Sequence, residues 1–176
     1  MRMRPNVRKL ALTAHVTTSV GWLGSVAAFL ALTVAGLTGQ DAQVVRGVYI
    51  AADLTTGLVI VPLAFASLLT GLIQSLGTEW GLIRHYWVLA KLAITVLSTL
   101  ILLMHTQPIG ILAQLARVST LDSALIGELQ IQLVADSAAA VVALLIATGL
   151  SVYKPRGLTP YGWRQQRRQA APRVVA

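Results

Sequence analysis

Four apolar stretches, each long enough to cross a bilayer, leave this chain few folds to choose from. They cover residues 10–37, 48–76, 86–104 and 126–152. A spanning helix needs about 20 apolar residues for a hydrocarbon core of about 30 Å. All four stretches qualify, the third with least to spare. Hydrocarbon offers no partner to an open backbone, so a spanning segment is either a helix or a strand of a closed barrel. Continuous apolar runs with little two-residue alternation select the helix. The expected fold is all-α, a four-transmembrane-helix bundle over residues 1–153, followed by a basic tail at 154–176.

The composition matches that solvent: 56% of residues are hydrophobic and 11% charged, with a mean hydropathy of +0.72. The net charge of +8 does not point to nucleic acid, because the basic residues sit at the ends of the apolar runs as topology signals do. If the N-terminus is cytoplasmic, that side holds Arg2, Arg4, Arg8, Lys9, Arg84, Lys154, Arg156, Arg164, Arg167, Arg168 and Arg173. The other side holds only Arg46 and Arg117. Eleven against two places both termini inside a cell membrane. The opening Met-Arg-Met-Arg resembles a signal peptide, but the run that follows exceeds the roughly 7–15 residues of a signal h-region and reads as a retained first span. The chain has no cysteine, which excludes disulfides, thiolate metal sites and covalent c-type haem attachment. Trp80 and Trp87 flank the start of the third span at an interfacial depth. Between the third and fourth spans, residues 105–122 read as an outer loop, with residues 111–118 as a short interfacial helix. The tail, with Pro155, Pro160, Pro172 and its Arg and Gln residues, reads as a disordered or surface-lying segment near anionic lipid.

Polar groups inside lipid are costly, so each needs a partner or a purpose. In the first span Gly21, Gly24, Ser25 and Ala28 form two small-xxx-small pairs suited to close helix packing. His15, Ser19 and Trp22 share a face of the same helix, and His15 lies roughly 9 Å inside its basic end. In the third span Lys91, Thr95, Ser98 and His105 fall on one stripe with Arg84 at its end. Lys91 is again roughly 9 Å deep, within reach of the interface by snorkelling. The second span carries Asp53, Thr56, Ser67, Thr70 and Gln74, with a kink expected at Pro62. The fourth carries Glu128, Gln132 and Asp136 four residues apart.

Depth sorts these groups into two candidate sites. The inner one has the nitrogen donors His15, His85 and Lys91, with Trp22 and Trp87 as apolar walls. Two nitrogen donors at equal depth on facing helices are what an axially ligated haem requires. The outer one has His105 with up to three carboxylates, Asp136, Asp53 and Glu128, which suits a divalent metal or a proton relay. A hydrogen-bonded packing role accounts for either histidine equally well.

Residues 15–24 (HVTTSVGWLG), 62–71 (PLAFASLLTG) and 86–105 (YWVLAKLAITVLSTLILLMH) resemble a family of actinobacterial four-span membrane proteins. That family is similar in turn to the copper-resistance-D-like superfamily, which includes the CopD transporters and the HemJ-type protoporphyrinogen oxidases. The resemblance implies a first-helix His and a third-helix Lys associated with b-type haem, here His15 and Lys91. It also matches Trp22, Trp87, Leu92 and His105. The arginine-rich segment that HemJ-type proteins carry after the first helix is absent, since residues 36–46 hold one Arg. Met1, Met3 and Met104 are the only methionines, a poor supply for copper. Three functions follow as expectations. The first is a haem b protein acting as a membrane oxidoreductase on a porphyrinogen or a quinone. The second is a small metal or ion transporter built on the outer cluster, and the third is a non-catalytic subunit of a homo-oligomer or a membrane complex.

Overall fold

The structure, a computed structural model, describes residues 3–77, 81–118 and 124–170. Arg2, Trp80, Asp122, Pro172 and Arg173 lie outside them. Among the described residues six helices appear in order: α1 (Pro5–Thr38), α2 (Ala42–Thr55), α3 (Val61–Gly77), α4 (Tyr86–Val118), α5 (Ala124–Tyr153) and α6 (Pro160–Ala170). A π-helical turn, Thr56–Ile60, joins α2 to α3 as one continuous span. Four helical segments among the described residues are long and apolar enough to cross a membrane: α1, the α2–α3 span, α4 and α5. At 1.5 Å per residue the longer ones reach about 50 Å, so they project beyond a core of about 30 Å. Their outward faces carry large apolar side chains in the open, among them Leu58 at 73%, Leu69 at 60% and Ile131 at 60% exposure. Such a belt on every span is a lipid-facing surface. The chain is a multi-pass membrane protein built as an all-α four-helix bundle.

Local signals explain the helix ends. Pro5 opens α1 in its first turn, where a missing N–H is harmless. Asp41 caps α2, its carboxylate accepting from the backbone N–H of Gln43 at 2.7 Å and of Val44 at 3.3 Å. The kink expected at Pro62 takes the form of the π turn just before it, where Val61 N–H donates to Thr56 O five residues back. Proline has no N–H and crowds the carbonyl four residues earlier, so the helix widens by one residue.

Each span packs against two others. α1 lies against the α2–α3 span and α5, and α4 lies against the same two, which leaves α1 and α4 on opposite corners. The shared core includes Trp22, Phe29, Tyr49, Ile60, Leu112 and Leu133. Of the expected small-residue pairs, Gly21 does meet α3, where an added methyl would touch Leu63 at 3.4 Å, whereas Gly24 faces open space. A closer approach within α1 is at Gly36, against the Tyr49 ring.

Two segments differ from their sequence-based expectation. The third span does not end at residue 104 with a loop and a separate short helix; α4 runs through Pro108 to Val118. Ile109, Leu112, Ala113 and Ala116 are buried at helical spacing, and α4 packs against α2. That burial outweighs the one lost backbone hydrogen bond. The tail is helical over Pro160–Ala170 and is clipped to the start of α4 by the segment before it. Thr159 N–H donates to Arg84 O at 3.0 Å, and Tyr86 N–H to Gly157 O at 3.3 Å. The Thr159 hydroxyl donates to Ile83 O at 2.6 Å and accepts from Gly162 N–H at 3.1 Å. Thr159 is thus the N-cap of α6, with Pro160 following at the first helical position.

Candidate functional site

At the end of the bundle that carries both the start of α1 and the end of α5, a partly open cleft of about 480 Å³ lies among α1, α3, α4 and α5. Its volume is within the roughly 300–1,000 Å³ typical of small-molecule and cofactor sites. His15, Trp22, Trp87 and Lys91 all line it. Four of the five inner residues singled out by depth therefore meet at one cavity, with His15 and Lys91 entering from the two opposite corner helices.

The seam between α1 and α3 sets the imidazole. Thr70 donates its hydroxyl proton to Ala66 O at 2.6 Å, so its oxygen is the acceptor in the 3.1 Å contact with His15 Nδ1. Nδ1 therefore carries the proton, which leaves Nε2 with its lone pair. A ring nitrogen anchored in this way is a feature of metal-ligating histidines with an outer hydrogen-bond partner. Gly71 makes room for the ring, since a Cβ there would come within 3.0 Å of His15 Cε1. Next to this pair Thr18 lies 3.3 Å from Thr70, and Ser19 lies 2.8 Å from Ser67, hydroxyl to hydroxyl.

On the facing side Lys91 Nζ lies 5.9 Å from the centre of the Trp87 ring, one turn back on α4. The ammonium leans towards the basic end, as snorkelling would have it, yet it remains in the wall of the cleft. No carboxylate pairs with it among the described residues. Two more cleft-lining groups are buried without a hydrogen-bond partner among the described residues, Trp22 Nε1 and Gln74 Oε1. Unpaired buried polar atoms are rare in folded proteins. A ligand that satisfies them would have an apolar body and polar edges, with negative charge near Lys91.

His85 does not join this set. It lines a separate groove at the basic end with Arg84 and Trp163, and its ring stands 6.3 Å from that of Trp87 at 50°. Its backbone bridges to Leu158 of the clipped tail, a contact with no sequence signal beyond the Thr-Pro cap.

The outer residues divide. His105 Nε2 lies 2.7 Å from Asp136 Oδ2, and its Nδ1 donates to Ile101 O at 2.8 Å. Gln132 Nε2 adds a contact with His105 Nε2 at 3.2 Å. Asp53 lies elsewhere, 3.8 Å from Arg117. The continuation of α4 past residue 104 brings Arg117 over α2, and this draws Asp53 into a different pair. Among the described residues no group of three or more His, Cys, Asp or Glu side chains is placed to hold a metal ion. Comparison with protein-family models, with curated proteins and with solved structures found no match for this chain.

Proposed function

We propose that this bundle binds a b-type haem in the cleft between α1 and α4, with both termini and the cleft in the cytoplasmic half of a cell membrane. The supporting observation is the His15 imidazole, anchored through Nδ1 on Thr70 in a cavity also lined by Lys91, Trp22 and Trp87. The resemblance of residues 15–24 and 86–105 to HemJ-type proteins adds to it.

The residues fit such a group. His15 Nε2 offers a neutral nitrogen ligand. Lys91 offers either a second nitrogen or a cation for a propionate, and the unpartnered Trp22 Nε1 and Gln74 Oε1 offer polar contacts at the edge. The indoles of Trp22 and Trp87 form apolar walls that exclude water. Bound there, haem would supply one-electron chemistry, for which a porphyrinogen or a membrane quinone is the candidate partner. The protein's own part is orientation: Thr70 fixes the ring of His15, and the Trp87 face holds the Lys91 ammonium.

Absorption spectra of detergent-purified protein, oxidised and dithionite-reduced, test this reading. A Soret band with bands that sharpen on reduction is expected, diminished in His15→Ala and shifted or diminished in Lys91→Ala. Protein that stays colourless after expression with a haem precursor and after haem addition would refute it. A second reading, ion or proton movement through the outer half, rests on the His105–Asp136 contact at 2.7 Å. It predicts that His105→Ala abolishes uptake in reconstituted vesicles while leaving the absorption spectrum unchanged.

A further inference from the structure

The cleft is not closed equally on all sides. Its lining residues from α3 and α4, among them Leu68, Leu72, Val88 and Leu92, are buried or half-buried. Among the described residues of the spans, its exposed lining comes from α1 and α5: Leu12, Val16 and Val20 on the first, Thr148 and Val152 on the second. We propose that the cleft opens sideways into the bilayer between α1 and α5, and that it takes up an anionic amphiphile dissolved in the membrane by this route. The proposal deepens the reading above and rests on it only in taking the cleft to be a ligand site.

The packing of the two helices leaves the gap. In the other half of the bundle α1 and α5 meet, where the buried hydroxyls of Thr33 and Ser137 lie 3.5 Å apart and Phe29 and Leu133 join the shared core. Nearer the basic end α5 lines the cleft with the small side chains of Ala147, Thr148 and Ser151. There α1 turns Leu12, Val16 and Val20, four residues apart on one face, towards the opening. Val20 is 61% and Val152 71% exposed although both line the cavity. The same side chains therefore face the cleft and the outside of the bundle.

Depth decides what lies outside. Counted from Lys9 at 1.5 Å per residue, Leu12, Val16 and Val20 lie roughly 5, 10 and 16 Å inward, against a hydrocarbon half-thickness of about 15 Å. The opening thus faces the acyl chains of one leaflet. Thr148 donates its hydroxyl proton to Leu144 O at 2.8 Å and Ser151 to Ala147 O at 3.0 Å. Both hydroxyls are satisfied within α5, so the rim presents hydrocarbon to whatever passes. Inside, the lining changes character: Lys91 stands in the wall, with Trp22 Nε1 and Gln74 Oε1 unpartnered among the described residues. An apolar mouth leading to a cation and unsatisfied polar atoms fits a molecule with an apolar body and an anionic head.

Photolabelling of the full chain in liposomes, purified without added haem, tests the proposal. The probes are a fatty acid with a mid-chain diazirine, its methyl ester, and a phosphatidylcholine carrying the same acyl chain. Peptide mapping should find the acid on cleft segments around Trp22, Leu68 and Leu92, with the ester and the phosphatidylcholine there at least about fivefold less. Val16→Trp with Thr148→Trp, which fills the opening, should lower cleft labelling on the order of tenfold. Labelling of the lipid-facing segments around Leu58 and Leu97 should stay unchanged, as should cleft labelling in Leu97→Trp. Cleft labelling indifferent to the two tryptophans would overturn the proposal, as would equal labelling by all three probes or none in the cleft. Should the double variant fail to fold, Val16→Phe compared with Leu97→Phe should show a loss of about threefold. The haem reading fails separately: route-dependent labelling of a protein that stays colourless with haem would refute haem alone. A Soret band with labelling indifferent to the tryptophans would refute the route alone.

Discussion

Gly36→Ala separates close helix packing from mere smallness in the first span. A methyl at Gly36 would fall 2.7 Å from both Cζ and the hydroxyl oxygen of Tyr49 and 3.1 Å from Cε2. Tyr49 is 1% exposed, so the ring has little space into which it can retreat. Overpacking of this kind costs about 1–3 kcal/mol, partly offset by the roughly 1 kcal/mol that Ala gains over Gly within a helix. Gly24→Ala is the internal control, because a methyl there meets nothing within 4 Å and only the helix gain remains. The two variants share that gain, so their difference isolates the clash at about 2 kcal/mol, or roughly 4–8 °C for a chain of this size. Thermal unfolding in detergent, followed by tryptophan fluorescence, reads the difference directly. In a Tyr49→Leu background, which removes the ring atoms in question, Gly36→Ala should cost nothing further. Equal melting temperatures for Gly36→Ala and Gly24→Ala would refute the reasoning, as would an undiminished penalty in the Tyr49→Leu background.

Gly162→Ala should release the tail without affecting the spans, because a Cβ there would lie 2.5 Å from Arg84 O and 3.0 Å from Leu158 Cδ2. Faster tryptic cleavage after Arg156 and Arg164, at an unchanged melting temperature, is the expected result. The His105–Asp136 pair has side chains 20% and 36% exposed; where that exposure is to water, screening limits its coupling to about 1 kcal/mol or less. A double-mutant cycle on His105→Gln and Asp136→Asn checks that limit, and a coupling of several kcal/mol would mean that the pair is buried by lipid or by a partner.

The spans and the inner site were legible in the sequence for one reason, the lipid. A bilayer imposes its thickness on segment length, so counting residues inward from the basic ends placed His15 and Lys91 at one depth, and they line one cleft. Counting along the chain gives depth but not rotation about the bundle axis or contacts beyond the lipid. His85 was grouped with the inner donors by depth, yet the clip turns it into the neighbouring groove. Asp53 was grouped with His105 by depth, yet it pairs with Arg117. That partner became available only because α4 continues through Pro108, where a proline normally advises a stop. The role of Thr70 was hidden for a different reason. A threonine in an apolar helix usually bonds its own backbone, as Thr70 does with Ala66, and nothing in the sequence reveals that its second lone pair faces an imidazole.

The seam of hydroxyls between α1 and α3 is better understood as orienting the ring than as holding the helices. Interhelical hydrogen bonds in membranes contribute about 0.6 kcal/mol each, so the His15–Thr70, Thr18–Thr70 and Ser19–Ser67 contacts add roughly 2 kcal/mol together. Aliphatic packing holds the same interface elsewhere, as where Gly21 meets Leu63. The polar contacts are instead concentrated where an imidazole enters the cleft. Thr70→Val keeps the shape of the side chain, removes the acceptor for Nδ1–H, and frees the ring to turn and change tautomer. Ser19→Ala breaks a contact of similar strength without touching the ring. If the seam orients, Thr70→Val should weaken haem binding in absorbance titrations about 10–100-fold, the usual effect of losing an outer partner of a ligating histidine. Ser19→Ala should change it less than about threefold, with both melting temperatures within a few degrees of wild type. If the seam merely holds, both variants should melt lower by a similar amount and bind haem alike. That outcome would remove the argument that His15 is poised as a ligand.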